Sequence, residues 1–222
     1  MVDKSFINKT EQLDLLFEKW ESFIPEYKGK FVKDGIVNEQ EYSSSSVKIL
    51  FIAKEPNNPN QEPWDYREIW NEGFSYTFAS RIAEWSYGIL NNFPQFDQID
   101  INENSLEKAI KKIAFMNIKK SGGKGSSELQ EMMHHLKINL DFLHKQIDII
   151  LPDIIILGTT WMELRNKLLP NTKWVKSGYN IEIGKYKNYK VIDFYHPSSR
   201  SAPSATYSLL QNIYNSEQFN QI

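Results

Sequence analysis

Four short apolar runs constrain this chain more than anything else in it. Residues 47–53 (VKILFIA), 113–118 (IAFMNI), 153–157 (DIIIL) and 189–194 (YKVIDF) each have the length of a strand. The first and third are apolar at nearly every position, as in a parallel strand covered on both faces. The segments between them, 66–90, 129–149 and 160–168, carry helical periodicity and are long enough to be crossover helices, so parallel connection is expected. The predicted fold is α/β: a three-layer α/β/α arrangement around a central, mostly parallel sheet of about four strands.

The rest of the chain fits around that sheet. Leu13, Leu15, Leu16, Phe17, Trp20 and Phe23 cluster on one side of a 3.6-residue period, which predicts an N-terminal helix with Thr10 as its N-cap. Residues 43–46 are four serines turning into the first strand, 94–105 reads as an exposed polar connection, and 205–214 reads as a last helix after the start signal Pro203-Ser204. With 222 residues, 41% of them hydrophobic, one well-buried core is expected. The expected organisation is a single domain over 1–222, with 1–45 as a helical extension packed on it.

Composition closes several routes. The chain has no cysteine, which removes disulfides, thiolate zinc sites and an iron–sulfur cluster. Its opening residues mix acids and lysines with no long apolar run, so no membrane segment is expected and the reading is cytoplasmic. The net charge of -2 supplies no global positive field, so any DNA contact has to come from a local basic patch. His134 and His135 lie mid-helix without a further histidine at i+4, which gives no support to a metal site. Neither the Walker A spacing nor a Gly-x-Ser-x-Gly elbow is present.

Ligands of open α/β sheets sit beyond the carboxyl ends of the strands. Here the first run ends in Lys54-Glu55-Pro56-Asn57, the second in Asn117 followed by Lys119-Lys120, the third in Gly158-Thr159, and the fourth in Tyr195-His196-Pro197-Ser198. If the strands are parallel, a carboxylate, an amide and an imidazole converge on one edge.

That pattern resembles the uracil-DNA glycosylase superfamily. Lys54-Glu55-Pro56 is similar to its first motif, Phe115-Met116-Asn117 to the internal strand whose Asn reads the base, 155–158 to its third strand, and His196-Pro197-Ser198 to its last motif. The resemblance implies hydrolysis of the N-glycosidic bond of uracil or another deaminated base in DNA, without cofactor or metal. In that chemistry a flipped nucleotide loses its base through a transition state with a cationic sugar and an anionic base. Glu55 would orient or deprotonate water and stabilise the sugar, and His196 would donate to the departing base oxygen. Asn117 would read the pyrimidine edge, Phe74 or Phe78 would stack on the base, and Asn57 would shape the pocket in place of the Tyr or Gly common there. Arg200 stands where the classical branch carries a Leu wedge and could wedge or bind phosphate. Ala53 replaces the family's usual Gly.

Lys119, Lys120, Lys124 and Ser198 complete the expected DNA contacts. The loop 121–127 (SGGKGSS) could cradle a phosphate, or be a solvated loop with Ser127 and Gln130 as a capping box. Fold does not fix function, and two rival readings stand beside this one: a nucleic-acid-binding member of the fold without catalysis, and an enzyme acting on a free nucleoside or nucleotide, which the small net negative charge would suit.

Overall fold

A computed structural model describes residues 8–74, 76–101, 104–123 and 126–222. Its strands are β1 (Val32–Lys33), β2 (Gly35–Ile36), β3 (Ile49–Ala53), β4 (Trp64–Asp65), β5 (Ala114–Asn117), β6 (Ile154–Leu157), β7 (Lys173–Lys176), β8 (Glu182–Tyr186) and β9 (Tyr189–Asp193). Its α-helices are α1 (Lys9–Phe23), α2 (Glu39–Ser44), α3 (Tyr66–Glu72), α4 (Thr77–Leu90), α5 (Ser105–Lys111), α6 (Leu129–Ile150), α7 (Met162–Leu168), α8 (Pro203–Tyr214) and α9 (Glu217–Gln221).

All four apolar runs form strands, and they are mutually parallel neighbours in the order β5-β3-β6-β9. The expected sheet of about four strands is corrected to seven, because β2 joins β5 antiparallel at one side and β8 and β7 extend the other side antiparallel. These additions carry little sequence signal: β2 is two residues long, and three of the four β7 residues are exposed. The hairpin of β8 and β9, which bears Lys185, Lys187 and Lys190, lies inside the sheet's last strand. β7 lies outside it, and its exposed Lys173 and Lys176 are the charges that discourage edge-to-edge pairing.

Alternation along the strands divides the interior. Leu50, Ile52, Met116, Ile155, Leu157 and Val191 join the buried residues of α1, α6 and α7. Ile49, Phe51, Phe115, Ile154, Ile156 and Ile192 join those of α3, α4, α5, α8 and α9. Successive strand residues point to opposite faces, so each strand feeds both clusters. Each fully buried aliphatic or aromatic side chain contributes roughly 1.5–3 kcal/mol.

Several local expectations change. The N-cap of α1 is Asn8, which forms a capping box with Glu11; Thr10 instead donates from its hydroxyl to Glu39 (2.8 Å). Leu15 and Phe23 are exposed rather than part of the buried stripe. The segment 66–90 is two helices, because Gly73 ends α3 with φ +145°, a conformation foreign to residues with a Cβ. The connection 94–105 includes a 3₁₀ turn over Phe96–Ile101 whose Ile99 is buried. The N-cap of α6 is Glu128 without a side-chain bond, so the Ser127–Gln130 capping box does not form. α8 starts with Pro203 in its first turn, two residues earlier than expected. Among the described residues, no helix is long and apolar enough to cross a membrane.

Candidate functional site

Because β3, β5, β6 and β9 are parallel, their carboxyl ends share one edge, and a cleft of about 700 Å³ opens there. Glu55 and His196, expected from the sequence, both line it, together with Asn57, Phe78 and Ser198. Trp64, Tyr66, Tyr76 and Tyr195 add aromatic walls, while Ser126, Ser127, Thr160 and Ser199 add hydroxyls. Trp64 and Tyr66 arrive through β4 and the start of α3, where Asp65 caps the helix by accepting from the Arg67 N–H (2.9 Å). The only sequence trace of these walls is the aromatic density of residues 64–78.

Glu55 is almost wholly enclosed, with its side chain 4% exposed. Lys119 donates to its Oε2 (3.0 Å) and to Glu131 Oε1 (2.7 Å). Burial works against the Lys119 ammonium, but its hydrogen bonds to Glu131 and Glu55 outweigh this and raise its pKa. Over the carboxylate lies Gly123, whose N–H donates to the Pro56 carbonyl (2.8 Å) and which forms a parallel bridge with Asn57. A Cβ at Gly123 would collide with the Glu55 carboxyl.

His196 is half-buried, its ring 5.6 Å from that of Phe78. The Ser198 N–H donates to Nδ1 (3.1 Å). Burial, helped by the positive charge of Lys54, pushes the imidazole pKa down to about 4. The ring is then neutral at ordinary pH, with Nδ1 accepting and its proton on Nε2. Arg81 on α4 steadies the following segment by donating to the Ser201 carbonyl (3.3 Å) and to Thr206 (3.0 Å).

Asn117 ends β5, 1% exposed and outside the cleft lining. Its backbone N–H donates to Asp34 (2.8 Å), yet neither amide atom of its side chain has a partner in hydrogen-bonding geometry among the described residues. The Tyr66 hydroxyl is a polar neighbour: burial raises its pKa and Asn117 draws it partly back. A buried amide atom that stays unmet costs on the order of 1–3 kcal/mol, so the Tyr66 hydroxyl beside Asn117 is the group placed to relieve it.

Other placements correct the sequence reading. Lys120 is fully buried and bonded to Asp34 (2.6 and 2.7 Å), so it presents nothing to a phosphate. Lys119 is 6% exposed and committed to two carboxylates, which removes it from the expected DNA surface as well. Ser121, Gly122 and Gly123 are buried against the turn after β3, not solvated. Lys124 lies outside the described residues. Phe74 packs against the core and does not line the cleft. Arg200 is exposed, just beyond the Ser198 and Ser199 rim.

Neither a protein-family model nor a curated protein sequence matches the chain. The site's own chemistry has to carry the functional reading. Among the described residues no cluster of three His, Asp or Glu is placed to hold a metal ion. What the cleft offers is a clamped carboxylate and a neutral imidazole donor beneath aromatic walls.

Proposed function

We propose that this chain hydrolyses the N-glycosidic bond of a base swung out of DNA, uracil or another deaminated base, on a three-layer α/β/α scaffold of the uracil-DNA glycosylase type. The observation that carries the reading is that Glu55 and His196, 141 positions apart by their numbers in the chain, line the same cleft. With Oε2 held by Lys119, Glu55 retains Oε1 to orient a water and to face the positive charge that develops on the sugar. His196 donates from Nε2 to the departing base oxygen. A preorganised donor of this kind contributes about 3 kcal/mol, and neutrality keeps its own pKa from competing for the proton. Phe78 and the neighbouring tyrosines stack on the base, while Asn117, buried behind the Tyr66 wall, is not placed to read its edge.

A second reading has one specific support. The sequestration of Lys119 and Lys120 leaves Lys54 as the only Lys or Arg among the described residues lining the cleft, a weak grip for a polyanion and adequate for a free nucleoside.

Purified protein is incubated with labelled single- and double-stranded oligonucleotides carrying uracil, hypoxanthine or normal bases, and in parallel with the free deoxynucleosides, and base release is measured. Release from DNA, reduced about 10²–10⁴-fold by Glu55→Gln, is the expected result. Release from free nucleosides alone would transfer the assignment to the second reading. Salt-sensitive DNA binding with no release would leave a binding protein.

A further inference from the structure

Lys54 separates the end of β3 from Glu55 and points its chemistry into the same cleft, whose lining includes both Lys54 and His196. Of the described lysines that follow β5 at this edge, Lys119 is committed to Glu55 and Glu131, and Lys120 to Asp34. Lys54 is half-buried, and among the described residues its ammonium makes no hydrogen bond or ion pair, only a contact with the face of Trp161, 4.6 Å from the ring centroid. Such a group has given up hydration without gaining a carboxylate. Burial accordingly lowers its pKa, with nearby Glu55 opposing, and its charge is felt at His196. A desolvated lysine beside another basic group is the usual form of an amine that attacks carbonyls.

We propose that the Lys54 amine is a nucleophile toward the aldehyde of an abasic sugar, giving the cleft a strand-cleaving lyase activity. This rests on the glycosylase reading, because base loss at this site leaves a sugar whose ring-opened form carries an aldehyde at C1′. The neutral amine adds to C1′, and the carbinolamine loses water to form an imine. A proton then leaves C2′ for a carboxylate, with Glu55 next in the chain, and its electron pair expels the phosphate on the 3′ side. Water hydrolyses the resulting unsaturated imine and restores Lys54. No oxidant or reductant enters the cycle.

The test offers a preformed abasic site in a labelled duplex, so that it does not depend on base release, and adds borohydride to reduce any imine to a stable amine. Wild-type protein is expected to become covalently linked to the DNA, and peptide mapping to place the link on Lys54. Lys54→Arg keeps the charge and the ring contact but is expected to lose the link, with its far-ultraviolet circular dichroism and thermal midpoint confirming a folded chain. Exposed Lys167→Arg on α7 is expected to retain it. If wild type releases bases yet traps nothing, this inference falls and the glycosylase reading stands. If it traps at Lys54 but releases no base, the reverse holds, and failure of both overturns both. A link that survives Lys54→Arg, or maps to another amine such as the chain's N-terminus, also overturns it.

Discussion

His196 illustrates how a single side chain can be tuned by what it cannot reach. Among the described residues it has no carboxylate partner, its Nδ1 takes the Ser198 N–H, and burial with Lys54 nearby pushes its pKa down to about 4. The neutral ring, whose Nδ1 can accept from Ser198 and so fix the aim of Nε2–H, therefore persists well below pH 6.5, the ordinary histidine value. The rate profile on an abasic-forming substrate is expected to show no acid limb from this residue near 6.5 and a loss only on approaching 4. Lys54→Met, which removes the neighbouring charge, is expected to move that limb upward. A wild-type limb at the ordinary value, unchanged in Lys54→Met, would refute this account. Stability follows the same groups. His135 is also held at about 4, by burial and then by Lys119. Unfolded imidazoles take up protons near 6.5 while these two refuse them until about 4, so acid favours unfolding across that window and their contribution is intact above it.

The loop between β5 and α6 shows the same economy at the level of an element. Gly122 and Gly123 lie against the turn after β3: Gln61 donates to the Gly122 carbonyl (2.6 Å), and Gly123 bridges Asn57. Glycine is required there by close approach, not by an unusual φ, since a side chain at Gly123 would occupy the place of the Glu55 carboxyl. Gly123→Ala is expected to displace Glu55 from Lys119, cutting base release nearly as far as Glu55→Gln does while costing about 1–3 kcal/mol of stability. Unaltered kcat/KM in Gly123→Ala would show that the carboxylate does not act from its observed position. From sequence this loop reads either as a phosphate cradle or as a solvated turn, because Gly, Ser and Lys together describe both equally well. The strands were legible for the opposite reason. Runs such as Ile49–Ala53 are apolar on both faces, a pattern that a surface segment does not sustain. β2 and β7 escaped because a two-residue strand has no period and an exposed edge strand has no apolar face.

Across the whole molecule, the least legible feature is the interior charge. Lys120 follows Lys119 next to a glycine-rich loop, a setting that predicts a surface cation, and only the distant Asp34 makes its burial possible. The positions of Glu55, His196 and Asn117 were readable because each lies at or just beyond the end of an apolar strand, whereas the partners of an ion pair leave no mutual mark when 86 positions separate them. Asp34 immediately precedes β2, and it also accepts from the Asn117 N–H on β5 (2.8 Å) and from Gln146 on α6 (2.7 Å). One carboxylate thus joins the sheet's short outer strand, the strand end that carries Asn117, and a helix of the first core cluster. The Lys120 ammonium adds contacts with the faces of Trp20 (5.0 Å) and Phe17 (5.8 Å) on α1. Lys120→Met preserves much of the volume but leaves Asp34 buried without a counter-charge, an imbalance expected to cost about 3–5 kcal/mol. Adding Asp34→Leu is not expected to restore stability, as an apolar replacement of a simple pair often does, because the Asn117 N–H and the Gln146 amide would lose their acceptor. Denaturant midpoints of the two single variants and the double variant measure this directly. A double variant as stable as wild type would mean that the pair is an isolated charge couple and not the junction between β2, β5 and α6.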